Sequence, residues 1–147
     1  RAYDTYRKKG YSEEWINQRM KTIEMRKELT DEWQRSGVKQ GKEYAILTNE
    51  ISQAWSGMTT KEYKNFKGLK KENLRDNMSN LELVLNMLAE VSTTEISRGS
   101  NPQGFDESKK VARQGGNVAR NAREEIEKQS GKSAITSKTA KDSDQIE

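Results

Sequence analysis

The chain has 147 residues, with 27 lysines and arginines, 23 aspartates and glutamates, one proline, and neither histidine nor cysteine. These counts exclude a disulfide framework, a thiolate zinc site, a thiol nucleophile and any triad or metal site that needs an imidazole. Because no run of about 18 apolar residues is present, the sequence predicts no membrane contact, and its composition favours a cytoplasmic helical protein without metal or cofactor.

The net charge of +4 is concentrated in one segment. Residues 61–75 hold six basic and two acidic side chains, so the rest of the chain is neutral. Leu, Ile, Val and Phe make up only about 16% of the residues, below the level of roughly 20% that accompanies disorder, although the usual large net charge is absent. We therefore predict a modest core, which a second copy or an upstream domain would complete.

The N-terminal part is predicted to be a short segment that leads into a long helix. Residues 1–11 are expected to be a linker or the end of an incoming helix. Ser12 followed by two glutamates predicts a helix start, and Gly37 predicts its end. The apolar residues between Ile16 and Trp33 do not stay on one side of the helix, so its apolar face drifts around the axis. Either the helix breaks at Thr30-Asp31 or it contacts two partners.

The middle of the chain carries three further helix signals. Apolar residues at helical spacing predict an amphipathic helix over 42–55. A capping box, in which a Ser or Thr is followed three residues later by Glu, then occurs twice, at Thr59 with Glu62 and at Ser79 with Glu82. The second box opens the most apolar stretch, 80–97, which we expect to be central and contacted on several sides.

The C-terminal third predicts a loop, one long helix and a tail. Breakers mark 98–104 as a loop, and 106–128 is helical in pattern with a face of small residues. Gly115-Gly116 on that helix indicates a kink or a close contact. Residues 132–147 lack periodicity and are expected to be a flexible tail. The fold class predicted is thus all-α, with about five helices in one domain over 12–131.

The first candidate site is the basic segment. Lys61, Lys64 and Lys67 recur every three residues, and Tyr63, Phe66 and Leu69 can face inward beside them. The basic row then continues after Gly68 with Lys70, Lys71 and Arg75. Such a ridge neutralises phosphates and predicts salt-dependent binding of nucleic acid. The alternative is a solvated face around a buried apolar anchor.

A second candidate lies on the last helix, where four basic residues fall within an arc of about 80°. Arg120 and Arg123 are more readily explained by pairs with glutamates four residues on. Lys109 and Arg113 lack so obvious a partner and remain candidates. Gly116 lies in the same line, so a phosphate could approach the backbone there.

Catalysis is not expected from this composition. Carboxylates on the apolar helices could hold a metal in a bundle, but di-metal sites of that kind typically use Glu-x-x-His pairs, and the chain has no histidine. The Gly115-Gly116 pair lacks the lysine spacing and preceding strand of a phosphate loop. The three tryptophans could stack on bases but fall at apolar helical positions, which favours packing.

Several motifs at characteristic spacings carry a family resemblance. They are the run Tyr44–Asn49, Gly57, the block Lys67–Lys71, Asp76, Met78 and the pair Glu82-Leu83. Over roughly 42–130 the chain resembles the C-terminal half of the DNA-damage-inducible protein D family, and also bacterial and prophage proteins of the BRO or antirepressor type. Residues 1–41 are more similar to the prophage-type members.

The resemblance implies a helical region that follows an N-terminal BRO-type domain associated with DNA binding; that domain is absent from this chain, and a start at Arg1 is expected of a fragment. It implies the SOS response, a nucleic acid or RecA-type nucleoprotein filament as partner, and no enzymatic activity. Two hypotheses follow. The domain binds nucleic acid or such a filament through the basic segment; alternatively, it holds protomers together as the oligomerisation domain of a prophage antirepressor.

Overall fold

The computed structural model describes residues 2–139, in which every regular element is helical. Six α-helices follow one another: α1 Ala2–Lys8, α2 Glu13–Arg35, α3 Lys42–Ser56, α4 Thr60–Phe66, α5 Asn80–Ser100 and α6 Gly104–Ser130. A single 3-10 turn, Arg75–Asn77, lies between α4 and α5. The predicted all-α class is therefore confirmed, with six helices instead of about five because the incoming segment forms a short helix.

Helix α2 begins and ends where its sequence predicts, and it is unbroken. The Ser12 hydroxyl accepts a hydrogen bond from the Trp15 N–H at 3.2 Å, and the chain leaves the helix through Gly37 at φ +86°. The helix runs straight through Thr30-Asp31. Its drifting apolar face is explained by two contacts, one with α1 and one with α5.

Helix α5 is the centre of the fold. It packs against α2, α3 and α6, as its apolar circumference predicts. Only residues 101–103 separate it from α6, so the two helices form an antiparallel hairpin. The predicted loop over 98–104 is shorter because Asn101 adopts a left-handed conformation (φ +51°) and ends α5 late.

The two glycines of α6 mark a close contact between helices. A Cβ atom built on Gly115 would lie 1.9 Å from Thr93 Oγ1 of α5, and one on Gly116 would lie 2.5 Å from Ala54 Cβ of α3. Helix α6 is continuous through both residues. The prediction that a phosphate could approach the Gly116 backbone is therefore wrong, because α3 covers it.

The core is built around the three tryptophans. Trp15, Trp33 and Trp55 are all fully buried, which confirms their packing role. The indole N–H of Trp15 donates to the Met78 carbonyl at 2.9 Å, so α2 is joined to the start of α5. Over 2–139 no helix is both long enough and apolar enough to cross a lipid bilayer.

Both ends of the described chain pack against this body. Tyr6 of α1 is buried and donates from its hydroxyl to Asp76 Oδ1 at 2.6 Å, and Tyr11 stacks on Trp15 with ring centroids 4.1 Å apart. Of the expected flexible tail, the part up to residue 139 is described; there Ala134 is buried and its N–H donates to Glu127 Oε2 at 2.9 Å. Residues 140–147 lie outside the described part.

Candidate nucleic-acid interface

Helix α4, which carries the first part of the basic segment, is capped at both ends. Thr59 and Glu62 form the predicted capping box. At the C-terminal end, Gly68 takes φ +73° and donates to the Asn65 carbonyl, while the Leu69 N–H donates to the Lys64 carbonyl at 2.9 Å. This pair of bonds is a Schellman motif, and the left-handed residue it needs is the glycine.

Lys67 does not point outward, so the predicted row of exposed lysines is wrong at this position. Its side chain is 0% exposed, and its ammonium lies 2.9 Å from Glu82 Oε1, a carboxylate that is itself 0% exposed. The ammonium also donates to the backbone carbonyls of Thr136 at 2.7 Å and Lys138 at 2.6 Å. The side chain is therefore saturated inside the fold and is unavailable to a phosphate.

The aromatic side chains of α4 divide between core and surface. Tyr63 is buried and donates its hydroxyl to Glu82 Oε2, and its burial, with that carboxylate beside it, strongly raises its pKa. Leu69 is also buried, as expected. Phe66, in contrast, is 47% exposed, so the prediction that it faces inward is wrong. An aromatic face therefore lies on the surface of the basic segment.

Arg75 is engaged in an ion pair that sequence reasoning did not foresee. Its guanidinium donates to Glu90 Oε2 on α5, and Arg26 of α2 reaches the same oxygen at 3.0 Å. Burial lowers the pKa of Arg26, and the Glu90 charge opposes that shift. Arg75 thus ties the 3-10 turn to α5 and is only partly available to a ligand.

Four lysines of the segment remain without an ion pair to any carboxylate in 2–139: Lys61, Lys64, Lys70 and Lys71, here called the lysine surface. Lys61, Lys64 and Lys70 line one depression of about 440 Å³. The nearby Glu72 carboxylate accepts from the backbone N–H groups of Lys70 and Lys71, and those bonds lower its pKa. The Glu72 carboxylate, which also interacts with the Lys64 charge, offsets part of the positive charge, and the lysine surface keeps a net positive charge.

The second candidate set is dispersed. Arg113 pairs with Glu50 of α3 at 2.7 Å and lines a separate depression, and Lys109 lies over the Phe105 ring at 6.0 Å. Arg120 and Arg123 make the predicted pairs four residues on, at 3.2 and 3.0 Å. Arg113 therefore has the partner that the sequence did not reveal, and neither it nor Lys109 lines the depression of the lysine surface.

A polar pocket beside the lysine surface was missed by sequence reasoning. It has a volume of about 210 Å³ and is lined by polar side chains from α3, α4 and α5 and from the segment before α5, among them Thr48, Thr60, Lys64, Arg75, Asn86 and Glu90. Lys64 and Thr60 line both this pocket and the depression of the lysine surface. The available signal was the pair of polar residues Asn86 and Glu90, four apart within the most apolar helix.

Buried carboxylates in the described part of the chain are neutralised by cations. Glu82 and Glu90, both among the inward acids on apolar helices, carry the ion pairs with Lys67 and with Arg26 and Arg75. Within 2–139, three or more carboxylates nowhere cluster in a way that could hold a metal ion. What the arrangement offers chemically is therefore a cationic surface, an exposed ring and a polar pocket.

Comparison with known proteins shows the family of the chain. A family model described as the DinD C-terminal domain matches residues 11–143. The chain therefore belongs to the DinD C-terminal domain family, which confirms the resemblance to the DNA-damage-inducible protein D family and extends it over α2. No curated protein and no solved structure matched the chain.

Proposed function

We propose that this domain is a non-catalytic module that binds nucleic acid, or a RecA-type nucleoprotein filament in the SOS response, through the lysine surface. One observation carries the proposal. After the ion pairs are assigned, four unpaired lysines remain together on α4 and the turn behind it, and three of them line one depression. Clustered, unpaired lysines attract a phosphate backbone by displacing its counterions.

The exposed ring of Phe66 favours a single strand as the ligand. Phe66 is 47% exposed and lies on the same short helix as Lys61 and Lys64, about 140° and 160° around it from them, so a strand that contacts both must wrap around α4. Bases of a single strand stack on such rings, whereas the bases of an intact duplex are already stacked. We therefore expect single-stranded DNA to bind more tightly than duplex DNA of equal length at equal salt.

A triple replacement of Lys61, Lys70 and Lys71 by Glu tests the proposal. Binding of a labelled single-stranded oligonucleotide is measured by fluorescence anisotropy across a salt series. Each lost phosphate contact removes about 0.7 from the slope of log affinity against log salt, so we expect a slope shallower by about 2 and a much lower affinity. Unchanged affinity and slope would overturn the proposal.

The matched control changes the same charge elsewhere. Lys21, Lys39 and Lys42 are exposed lysines of α2, the α2–α3 connection and the start of α3. Their replacement by Glu lowers the net charge equally but leaves the lysine surface intact. We expect this variant to keep most of the affinity and nearly all of the slope, so an equal loss in both variants would mean that only net charge matters.

The oligomerisation hypothesis remains a prediction with less support. Besides the thin core, its motives were two faces, the small-residue face of the last helix and the drifting apolar face of the first long helix. The first is occupied by α3 and α5 at Gly115 and Gly116, and the second by α1 and α5. Both faces are thus largely covered within the fold, although Val118 and Ile126 of α6 and Ile23 of α2 stay exposed.

A further inference from the structure

Two buried polar groups of the pocket beside the lysine surface have no hydrogen-bond partner within 2–139. They are the Oε1 atom of Glu90 and the Nδ2 amide of Asn86. Glu90 is 1% exposed and Asn86 is 6% exposed, and both line the pocket. Since they are four residues apart on α5, they lie one turn apart on the same face. Buried polar groups are nearly always satisfied by protein, ordered water or a ligand, so this pair beside one pocket is a place where a ligand would gain hydrogen bonds.

The unpaired atoms determine what that ligand must present. Glu90 Oε2 is already occupied by Arg26 and Arg75, so Oε1 alone accepts a new hydrogen bond. Asn86 Nδ2 can only donate. The part of the ligand that reaches α5 must therefore carry a donor next to an acceptor.

The other walls of the pocket restrict the shape and charge of the ligand. Ile51, Leu74 and Met78 provide apolar contacts, which suit the faces of a ring. Lys64 lies where the pocket meets the depression of the lysine surface, so a phosphate attached to the ring would find a cation there. A volume of about 210 Å³ is below the range of roughly 300–1,000 Å³ typical of drug-sized ligands, so one small ring system fits.

We propose that this pocket binds a single nucleobase, with Asn86 and Glu90 contacting its polar edge and Lys64 contacting the adjoining phosphate. Every nucleobase presents a donor beside an acceptor on its Watson–Crick edge, and a carboxylate and an amide are side chains that read such edges. The inference rests on the proposed function for its source of bases, a single strand held on the lysine surface. A free nucleotide has the same chemistry and is the second source.

The test compares an intact single-stranded oligonucleotide with an abasic one of the same length, which retains every phosphate. For the unmodified protein we expect about tenfold weaker binding of the abasic strand, with the same salt slope. Asn86→Leu narrows the pocket and should remove the part of that preference that stacking on Phe66 does not supply, while leaving the slope unchanged. Asn86→Ala removes the amide without adding bulk and should act in the same direction. Asn121→Leu, the same exchange at an exposed position of α6, is the control.

The outcomes separate the two proposals. Salt-dependent binding with no preference for the intact strand, or a preference that both Asn86 variants leave undiminished, overturns the pocket inference and leaves the lysine surface standing. If no oligonucleotide binds, the lysine surface fails, and the pocket is tested with the four nucleoside 5′-monophosphates and with ribose 5-phosphate. Amide NMR shifts at Asn86 and Thr48 with the nucleotides alone support a free-nucleotide site. Their absence, or equal shifts with ribose 5-phosphate, overturns it.

Discussion

The burial of Lys67 shows that the basic segment does not form one exposed row of lysines. A spacing of three is not a straight row on an α-helix, because at about 100° per residue Lys67 lies about 120° around α4 from Lys61 and only about 40° from Tyr63. Tyr63 is buried, so Lys67 is carried inward with it and meets Glu82. The helical geometry could have been worked out from the sequence. The identity of the partner could not, since Glu82 lies on another helix.

Replacing Lys67 by Met should therefore affect stability and not binding alone. Removing one partner of a buried ion pair leaves the Glu82 charge uncompensated, which costs about 3–5 kcal/mol of unfolding free energy. Lys71→Met, at an exposed position, should stay within about 0.5 kcal/mol of the unmodified protein. Urea unfolding measures both. Equal, small effects would contradict the buried pair.

The Lys-Gly-Leu part of the family motif is thus a structural signature. Lys67 fills a buried pair, Gly68 takes the left-handed backbone and Leu69 is buried beneath the turn. Of the four side chains in the block, only those of Lys70 and Lys71 face solvent. A relative that keeps the first three residues therefore keeps the end of α4, whatever it binds.

At the scale of elements, the helix ends were the most predictable feature. Both capping boxes and the Ser12 cap are present because each depends on residues only three apart in the chain. The Gly115-Gly116 pair was ambiguous because glycines inside a helix are typical both of a kink and of a close contact with another helix. The structure resolves it through Thr93 and Ala54, which lie on other helices.

Two glycine-to-alanine exchanges should change the stability of the protein in opposite directions. At Gly99, near the end of α5, nothing lies within 4 Å of a new Cβ, so Ala should stabilise the protein by about 0.5–1 kcal/mol. At Gly115 the same exchange meets the Thr93 backbone as well as its hydroxyl, so it should destabilise by about 1–3 kcal/mol or more. Thermal unfolding of both variants measures the difference, and stabilisation at both positions would contradict the close α5–α6 contact.

At the scale of the whole molecule, Glu32 joins α2 to α5. The hydrogen bond from Arg35 lowers the pKa of Glu32 below its ordinary 4.5, and the bond from Ser97 on α5 at 2.7 Å adds to this against the effect of burial. A carboxyl whose folded pKa is depressed stabilises the fold above its unfolded pKa and loses that contribution as pH falls through the folded value. The link between the two helices is therefore acid-sensitive.

Glu32→Gln should reveal this contribution. At pH 7 we expect the free energy of unfolding of the variant to be about 1–3 kcal/mol lower than that of the unmodified protein. This difference, the stability gap, should close as pH falls below 4.5. Denaturant unfolding over a pH series measures it. Glu28→Gln, which removes an exposed pair with Arg98, should show almost no gap at any pH. A Glu32 gap that persists into strong acid would contradict the assignment.

The fold class and the concentration of charge were accessible from local pattern, whereas the pocket was not. Asn86 and Glu90 look like polar interruptions of an apolar helix until Thr48 and Thr60 are brought opposite them. Likewise, Arg75 and Arg113 looked unpaired because Glu90 and Glu50 lie elsewhere in the chain. Pairings between distant residues are set by packing, and a single sequence does not encode them in its spacing.

The Lys67 site also determines when this part of the fold can form during synthesis of the chain. Two of its three oxygen partners belong to Thr136 and Lys138, which follow it by 69 and 71 residues. At roughly 5–20 residues per second, the ribosome needs roughly 3–14 seconds to supply them. Until then the Lys67 ammonium has only Glu82 to neutralise it. The buried site at the end of α4 is therefore completed only after residue 138 has been synthesised.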